Sequence, residues 1–309
     1  MPVFASIGEC MVELSSAGDG LYRRGFAGDT FNTAWTLRGL TDPGAIRVRY
    51  VTGAGSDPLS DDLLRFIEGA GIEPVARRVT GRTVGLYMIT LDGHERSFAY
   101  WRDTSAARLL AEDRAALTRA LEDADCVYFS GITLAILTPE HRRTLLTALD
   151  AVRGRGGMVA FDPNIRPALW ADQAELRAEI EAGCRVATVA LPTFPDERDL
   201  FDDASIEACA ARIAGYGVSE VVVKNGADPA LVCLGEEAVG IPAIEVANPL
   251  DTTGAGDSFN AGYLAARLAG AAPVEATRNG HRTAARVVQS HGALVDLAAL
   301  RALRGGDDQ

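Results

Sequence analysis

Short apolar runs alternate with amphipathic helical stretches along almost the whole chain, and this alternation limits the folds open to it. The runs Val3 to Ile7, Val48 to Thr52, Cys126 to Ser130, Met158 to Asp162, Val186 to Leu191, Val221 to Lys224 and Leu231 to Leu234 read as strands buried on both faces. Helix-period stretches fall near 30–39, 58–69, 139–153, 172–182, 205–215, 257–269 and 274–290. A strand apolar on both faces has to be covered on both, and strands joined through helices pair in parallel. The pattern predicts an α/β fold with a central, mostly parallel sheet and helices on both faces. Ligand sites in such sheets gather at the carboxyl ends of the strands.

A chain of 309 residues can bury one large core and need not be divided, so a single domain over 1–309 is expected. The 42 acidic and 30 basic residues leave a net charge of -12, which argues against nucleic acid or an anionic membrane as partner. An anionic substrate would then need a local group of arginines. The five cysteines, at 10, 126, 184, 209 and 233, are odd in number, scattered and without a Cys-x-x-Cys spacing, which fits a reducing compartment and core packing. The four histidines form no ligand pair. Pro2 to Gly8 reads as a first strand rather than a signal segment, and no apolar run approaches membrane-spanning length, so the expectation is a soluble, cytoplasmic protein.

Chemistry concentrates in Asp251-Thr252-Thr253-Gly254-Ala255-Gly256-Asp257-Ser258-Phe259-Asn260-Ala261-Gly262. A glycine-rich turn running into a helix aims backbone N–H groups at an anion, and the helix dipole adds to the attraction. A carboxylate at that junction, Asp257, is repelled by a phosphate and can be put to use by taking the proton of a hydroxyl that attacks phosphorus. A simple helix cap is the structural alternative. No Walker A loop is possible, because Lys224 is the only lysine, and Phe259 stands where a dinucleotide fingerprint needs its third glycine.

Three further stretches stand out. Gly28-Asp29-Thr30-Phe31-Asn32 reads as a capped helix start. Thr83 to Arg102 interrupts the rhythm as two β-rich runs around Asp92-Gly93, a hairpin signal. With Asp92 and Gly93 as the central turn residues, cross-strand partners sum to 185, Tyr87 faces Phe98, and Tyr87, Tyr100 and Arg102 share a face. Leu86, Met88 and Trp101 occupy the other face, so both need covering. This leads to a lid over the substrate whose outer face packs on a second subunit. Asn164 and Arg166 follow a strand end, and Arg102 with Arg166 could clamp a carboxylate.

The string from Asp251 to Gly262 resembles the second signature of the PfkB-type, or ribokinase-like, sugar kinases, and Gly28 to Asn32 resembles the first, with Ala27 in place of one common glycine. The resemblance implies a ribokinase-like α/β fold with a small β lid formed by segments near 10–25 and 82–103. It implies ATP and Mg²⁺ as cofactors, with K⁺ a further possibility at Asp251. Asp257 becomes the catalytic base and Gly254, Ala255 and Gly256 the anion hole. Substrate contacts fall on Gly28, Asp29, Asn32, Tyr87, Tyr100, Arg102 and Arg166, together with Asp257. ATP contacts fall on Asn164, Lys224, Gly226, Ala227, Gly254, Gly256 and Asn279, and the late helix that carries Asn279, His281 and Thr283 covers the nucleotide's other side.

Ile7 to Leu14, Tyr100-Trp101-Arg102, Ser130 to Leu137 and Asn164-x-Arg166-Pro167-x-Leu169-Trp170 resemble the branch of the family that phosphorylates 2-keto-3-deoxygluconate, an Entner–Doudoroff reaction. A kinase for a neutral sugar such as fructose or ribose, and a silent sugar-binding regulator, are the alternatives. Many members carry Asn-x-x-Glu near the metal, where this chain has Thr193-x-x-Asp196. A homodimer or higher homo-oligomer formed through the lid is also expected.

Overall fold

The computed structural model describes residues 1–92, 95–235 and 237–305. In chain order the elements are β1 (Val3–Ile7), β2 (Met11–Gly18), β3 (Leu21–Ala27), α1 (Asp29–Leu40), β4 (Arg47–Gly55), α2 (Pro58–Gly69), β5 (Glu73–Val79), β6 (Leu86–Asp92), β7 (Glu95–Trp101), α3 (Arg114–Leu121), β8 (Cys126–Ser130), α4 (Gly131–Ile136) and α5 (Pro139–Gly154). The second half continues with β9 (Met158–Asp162), α6 (Gln173–Val186), β10 (Val189–Ala190), α7 (Phe194–Phe201), α8 (Ile206–Gly215), β11 (Glu220–Val223), β12 (Ala230–Leu234), β13 (Glu237–Ile241), α9 (Ala255–Leu268), α10 (Pro273–Val287) and α11 (Leu297–Arg301).

Among the described residues the strands form two sheets. The larger runs β13-β12-β11-β10-β9-β8-β1-β4-β5. It is parallel from β5 to β11, and β12 and β13 return antiparallel. Side chains of β1 alternate between two cores. Ala5 and Ile7 join Phe129, Phe161, Leu145 and Ile180 on one face. Phe4 joins Phe31, Leu63, Tyr128 and Phe259 on the other. Each face thereby buries a continuous apolar layer under helices, which is what both-face apolar strands require.

β1 has β4 on one side and β8 on the other, so the order of strands reverses there. Loops leaving the carboxyl ends of β1 and β8 diverge at such a point and open a crevice. The sequence pattern missed β5 and β13 because both lie at sheet edges with several polar or exposed positions. The run from Val186 to Leu191 is divided: α6 continues to Val186, with Leu176, Ile180 and Cys184 on its buried face, and only Val189–Ala190 pair as strand.

The smaller sheet has the order β3-β2-β6-β7, with β2 parallel to β6. In the β6–β7 hairpin Tyr87 pairs with Tyr100 and Leu86 with Trp101, so partners sum to 187 rather than 185. Asp92 pairs with Glu95 and is strand rather than turn, while Gly93 lies outside the described residues. A change of two in the sum preserves the alternation of faces, so Tyr87, Phe98 and Tyr100 still share one, their ring centroids 5.9–6.2 Å apart. The opposite face is partly covered by the chain itself. Val12 and Phe26 enter the main core, and Phe26 packs on Phe66 of α2 at 5.3 Å.

α9 is set against α10 by Gly262, where an added Cβ would lie 2.3 Å from Thr283 Oγ1 and 2.7 Å from the Asn279 carbonyl oxygen. A Gly262→Val protein should therefore lose about 1–3 kcal/mol of stability, as overpacked cores do. Urea unfolding followed by circular dichroism measures this, and an unchanged midpoint would mean that α10 can yield without cost.

Candidate active site

A cavity of about 560 Å³ opens at the crevice. It runs from Tyr87, Phe98 and Tyr100 of the smaller sheet, past Asp29, Asn32 and Asp257, to Lys224, Gly226, His281 and Ala293.

The start of α9 forms its centre. Gly254 has φ +75°, and a Cβ there would come within 2.9 Å of Ala293 Cβ, so glycine is needed both for the turn and for the close approach. No side chain caps the helix. The N–H groups of a first helical turn lack intrahelical acceptors, and the dipole leaves partial positive charge on them. Asp251, buried below, accepts from the backbone N–H of Thr253 at 2.9 Å and of Gly292 at 2.8 Å, which fixes the turn against the segment after α10.

Asp257 projects from that first turn. Asn32 Nδ2 donates to its Oδ2 at 2.8 Å, and Thr33 Oγ1 donates to its backbone carbonyl at 3.2 Å. Burial, and then the negative charge of Asp29, push its carboxyl up from the ordinary 3.8 to about 7, against the pull of the Asn32 hydrogen bond. Asn32 is itself held, its Oδ1 accepting from the Gly28 N–H at 3.3 Å. Gly28 has no room for a side chain, since a Cβ would lie 2.1 Å from the Glu9 carbonyl oxygen. Asp29 Oδ2 accepts from Ser130 Oγ and from Asn164 Nδ2, the latter at 2.9 Å. Asn164 thus meets the residues read as sugar contacts, although the family resemblance puts it with ATP.

Behind the helix start lies a buried polar network. Lys224 Nζ donates to Asp162 Oδ2 at 2.8 Å and Asn260 Oδ1 at 3.2 Å, and Asn260 Nδ2 donates to Asp162 and to Tyr128. At the smaller-sheet end Arg102 is buried and already paired, its Nε donating to Glu9 Oε2 at 2.8 Å and its Nη2 to the same oxygen. Tyr87 donates its hydroxyl proton to Glu13. Arg166 is half exposed, with Nη1 donating to the Ile165 carbonyl at 2.7 Å and lying 3.6 Å from Asp196. Burial raises the Asp196 carboxyl above its ordinary value, with Arg166 opposing.

Two residues matched to ATP do not reach the cavity. Ala227 is exposed in the turn after β11. Asn279 donates along its own helix to the Glu275 carbonyl at 3.0 Å. The same helix supplies His281 instead, edge-on to Phe259 at 5.1 Å, with Nε2 buried and without a partner among the described residues. His281 shares the buried stripe of α10 with Thr277 and Ala284, a signal readable from helical spacing. Glu9 and Asp162 were not singled out from sequence, since a lone carboxylate after a strand carries no motif. A separate buried group, Glu197, Asp203 and Cys209, is filled by Arg212, which donates to both carboxylates.

The pfkB family carbohydrate kinase profile matches residues 2–299. The chain belongs to the pfkB family of carbohydrate kinases. It is 42% identical over 305 residues to the 2-dehydro-3-deoxygluconokinase of Escherichia coli K12, covering 96% of this chain and 98% of that protein. Identity to the 2-dehydro-3-deoxygluconokinase of Haemophilus influenzae is 35% over 311 residues, covering 98% and 99%. Among solved structures, a PfkB protein from Polaromonas sp. JS666 superposes with a TM-score of 0.83 at 27% identity, covering 98% and 99%. A putative ribokinase II from Escherichia coli in complex with ATP and Mg²⁺ has a TM-score of 0.83 at 21% identity, covering 97% of this chain and 98% of that one.

The pfkB-family cavity fits ATP on its own observations: an uncapped helix start, glycine where a Cβ would collide, and a buried imidazole nitrogen awaiting a partner. A base at Asp257 has to be ionised, so activity should fall as pH drops through about 7. Asp29→Asn removes a raising charge and should move this acid limb to lower pH, whereas Asn32→Ala removes the stabilising donor and should move it higher. kcat/KM profiles between pH 5 and 9 check both signs; limbs that stay put would break the link to Asp257.

Proposed function

We propose that this chain transfers the γ-phosphoryl group of ATP to the 6-hydroxyl of 2-keto-3-deoxygluconate, giving 2-keto-3-deoxy-6-phosphogluconate. One observation carries the reading: a single cavity joins Asp257 and an uncapped helix start to two arginines and two tyrosines. The names of the relatives at 35–42% identity point to the same substrate.

In this reading Arg102 and Arg166 take the carboxylate end, and Gly28, Asp29 and Asn32 line the hydroxylated chain. The substrate's far hydroxyl then lies at Asp257. Its oxygen bonds to the γ-phosphorus as the bond from that phosphorus to the bridging oxygen breaks, ADP leaves with the electron pair, and Asp257 takes the hydroxyl proton. N–H groups at Gly254 and Gly256 stabilise charge on the transferring oxygens without reorganising, whereas the Ala255 N–H is donated to the Thr252 carbonyl at 3.2 Å and joins them by exchanging that bond. Lys224, locked by Asp162, adds a fixed positive charge near the same turn. His281, with Lys224 and Gly226, borders the nucleotide, while Ala227 and Asn279 are left out. Bound Mg²⁺ supplies charge neutralisation at the ATP phosphates, and Thr193 and Asp196 are among the oxygen donors of the cavity that would hold it. A K⁺ ion at Asp251 would act on the Asp251–Gly254 turn.

Of the exposed apolar residues of the smaller sheet, Phe98 and Tyr100 face the cavity while Tyr22 and Trp101 lie on the opposite face, and apolar exposure on that second face favours a homodimer through the lid. No helix among the described residues is long and apolar enough to cross a membrane, in keeping with a cytoplasmic enzyme. A neutral-sugar kinase is the second reading, favoured by one fact: the charge of Arg102 is already matched by Glu9.

A coupled ADP-release assay with ATP and Mg²⁺, comparing 2-keto-3-deoxygluconate, its galactonate epimer, fructose and ribose, should show turnover mainly on a keto acid. Turnover confined to fructose or ribose would replace the substrate while keeping the chemistry. Asp257→Asn should lower kcat by about 10²–10⁴ with little change in KM; a variant keeping most of its turnover would remove Asp257 as base. Light scattering after size exclusion should give twice the chain mass, and a monomer would refute the lid-mediated dimer.

A further inference from the structure

Glu9 is a buried carboxylate in the cavity wall that the mechanism above leaves without a task. It follows Gly8 at the carboxyl end of β1, beside the reversal in strand order, and only 2% of its surface is exposed. Its Oε2 receives both the Nε and the Nη2 of Arg102, which leaves the lid at the end of β7. Its Oε1 has no hydrogen-bond partner among the described residues. That oxygen packs over Gly85, where an added Cβ would lie 2.7 Å from it and 3.3 Å from Arg102 Cβ.

The arrangement decides what Arg102 can offer a ligand. A guanidinium is a planar fork, and engaging the edge formed by Nε and Nη2 fixes the plane and its rotation about the stem. Neither hydrogen bond to Glu9 uses Nη1, on the opposite side. With its charge balanced, Arg102 acts as an oriented donor rather than a free cation. A buried charge that lost its partner would turn toward other acceptors or toward water, because leaving it uncompensated is costly.

We propose that Glu9 is a positioning residue that sets selectivity for a sugar acid by presenting the Nη1 edge of Arg102 to the substrate carboxylate. The inference rests on the sugar-acid reading and adds to it a residue that acts through Arg102. Selection then follows the placement of the carboxylate along the substrate chain rather than net charge.

A double-mutant cycle tests it. Wild type, Glu9→Gln, Arg102→Met and the double variant are assayed on whichever of the four sugars the wild type prefers, with ATP varied separately. Glu9→Gln should raise KM for the keto acid about tenfold, the loss of one charge-assisted hydrogen bond, while kcat and KM for ATP stay within about twofold. The double variant should match Arg102→Met within about twofold, since Glu9 acts only through Arg102. Effects that multiply, or a Glu9→Gln variant that raises both KM values alike, would overturn the proposal. If Glu9→Gln does not fold, Gly85→Ala, which displaces the carboxylate while keeping its charge, should show the same split between the two KM values. A wild type that prefers fructose or ribose overturns the sugar-acid function and the selectivity ascribed to Glu9 together; multiplied effects in an enzyme that prefers the keto acid overturn the role of Glu9 alone.

Discussion

The site depends on one carboxylate held where a carboxylate is least comfortable. Asp257 is raised toward neutrality by burial and by Asp29, and its folded value of about 7 lies above the ordinary 3.8. Between those two pH values the native chain keeps a proton that the unfolded chain has released. Stability therefore declines as pH rises through that window, and the full cost is present above it. In the proposed role as base Asp257 has to be ionised, which puts that role in the pH range where the fold bears this cost. Asn32 limits the cost without removing it, and Asn32 is in turn held by the Gly28 N–H.

This carboxylate has its place because distant parts of the chain converge at the strand-order reversal. α1 brings Asp29 and Asn32 from the first signature, and α9 brings Asp257 from a segment 225 residues later in the chain. The tight packing of α9 on α10 at Gly262 and the buried Asp251 beneath the turn set the helix start independently of any ligand. Lys224, Asp162 and Asn260 then make a rigid wall behind it. Fully partnered buried polar groups give such a wall its fixed geometry, since each would be costly to expose or leave unpaired.

Most of the larger sheet was readable because its strands are apolar on both faces and the period changes sharply at each helix. The edges were not, because β5 and β13 are half exposed and carry no apolar run. The hairpin shows how a wrong register can still give a right face: a shift of two in the pairing sum leaves the alternation intact. Gly254 to Asp257 were legible as a motif because backbone geometry constrains them residue by residue. Asn279 and His281 were not separable by motif, and only the buried stripe of α10 puts the imidazole inside and the amide along the helix. The pairing of Arg102 with Glu9 spans 93 residues and leaves no local trace in the sequence.

That pairing changes the meaning of the arginines. In a chain with net charge -12, bare cations in a cavity would be expected to do the work of attracting an acid. The structure instead balances Arg102 with Glu9 and brings Arg166 within 3.6 Å of Asp196, so neither guanidinium stands alone. An unbalanced arginine would attract phosphate, ADP or any carboxylate almost equally, because Coulombic attraction carries little information about shape. A balanced and oriented one binds less strongly but only where a carboxylate meets its remaining N–H groups, which converts affinity into discrimination. In the proposed arrangement, with ATP phosphates at one end of the cavity and a sugar carboxylate at the other, that exchange keeps the two anions from competing for the same positive charge.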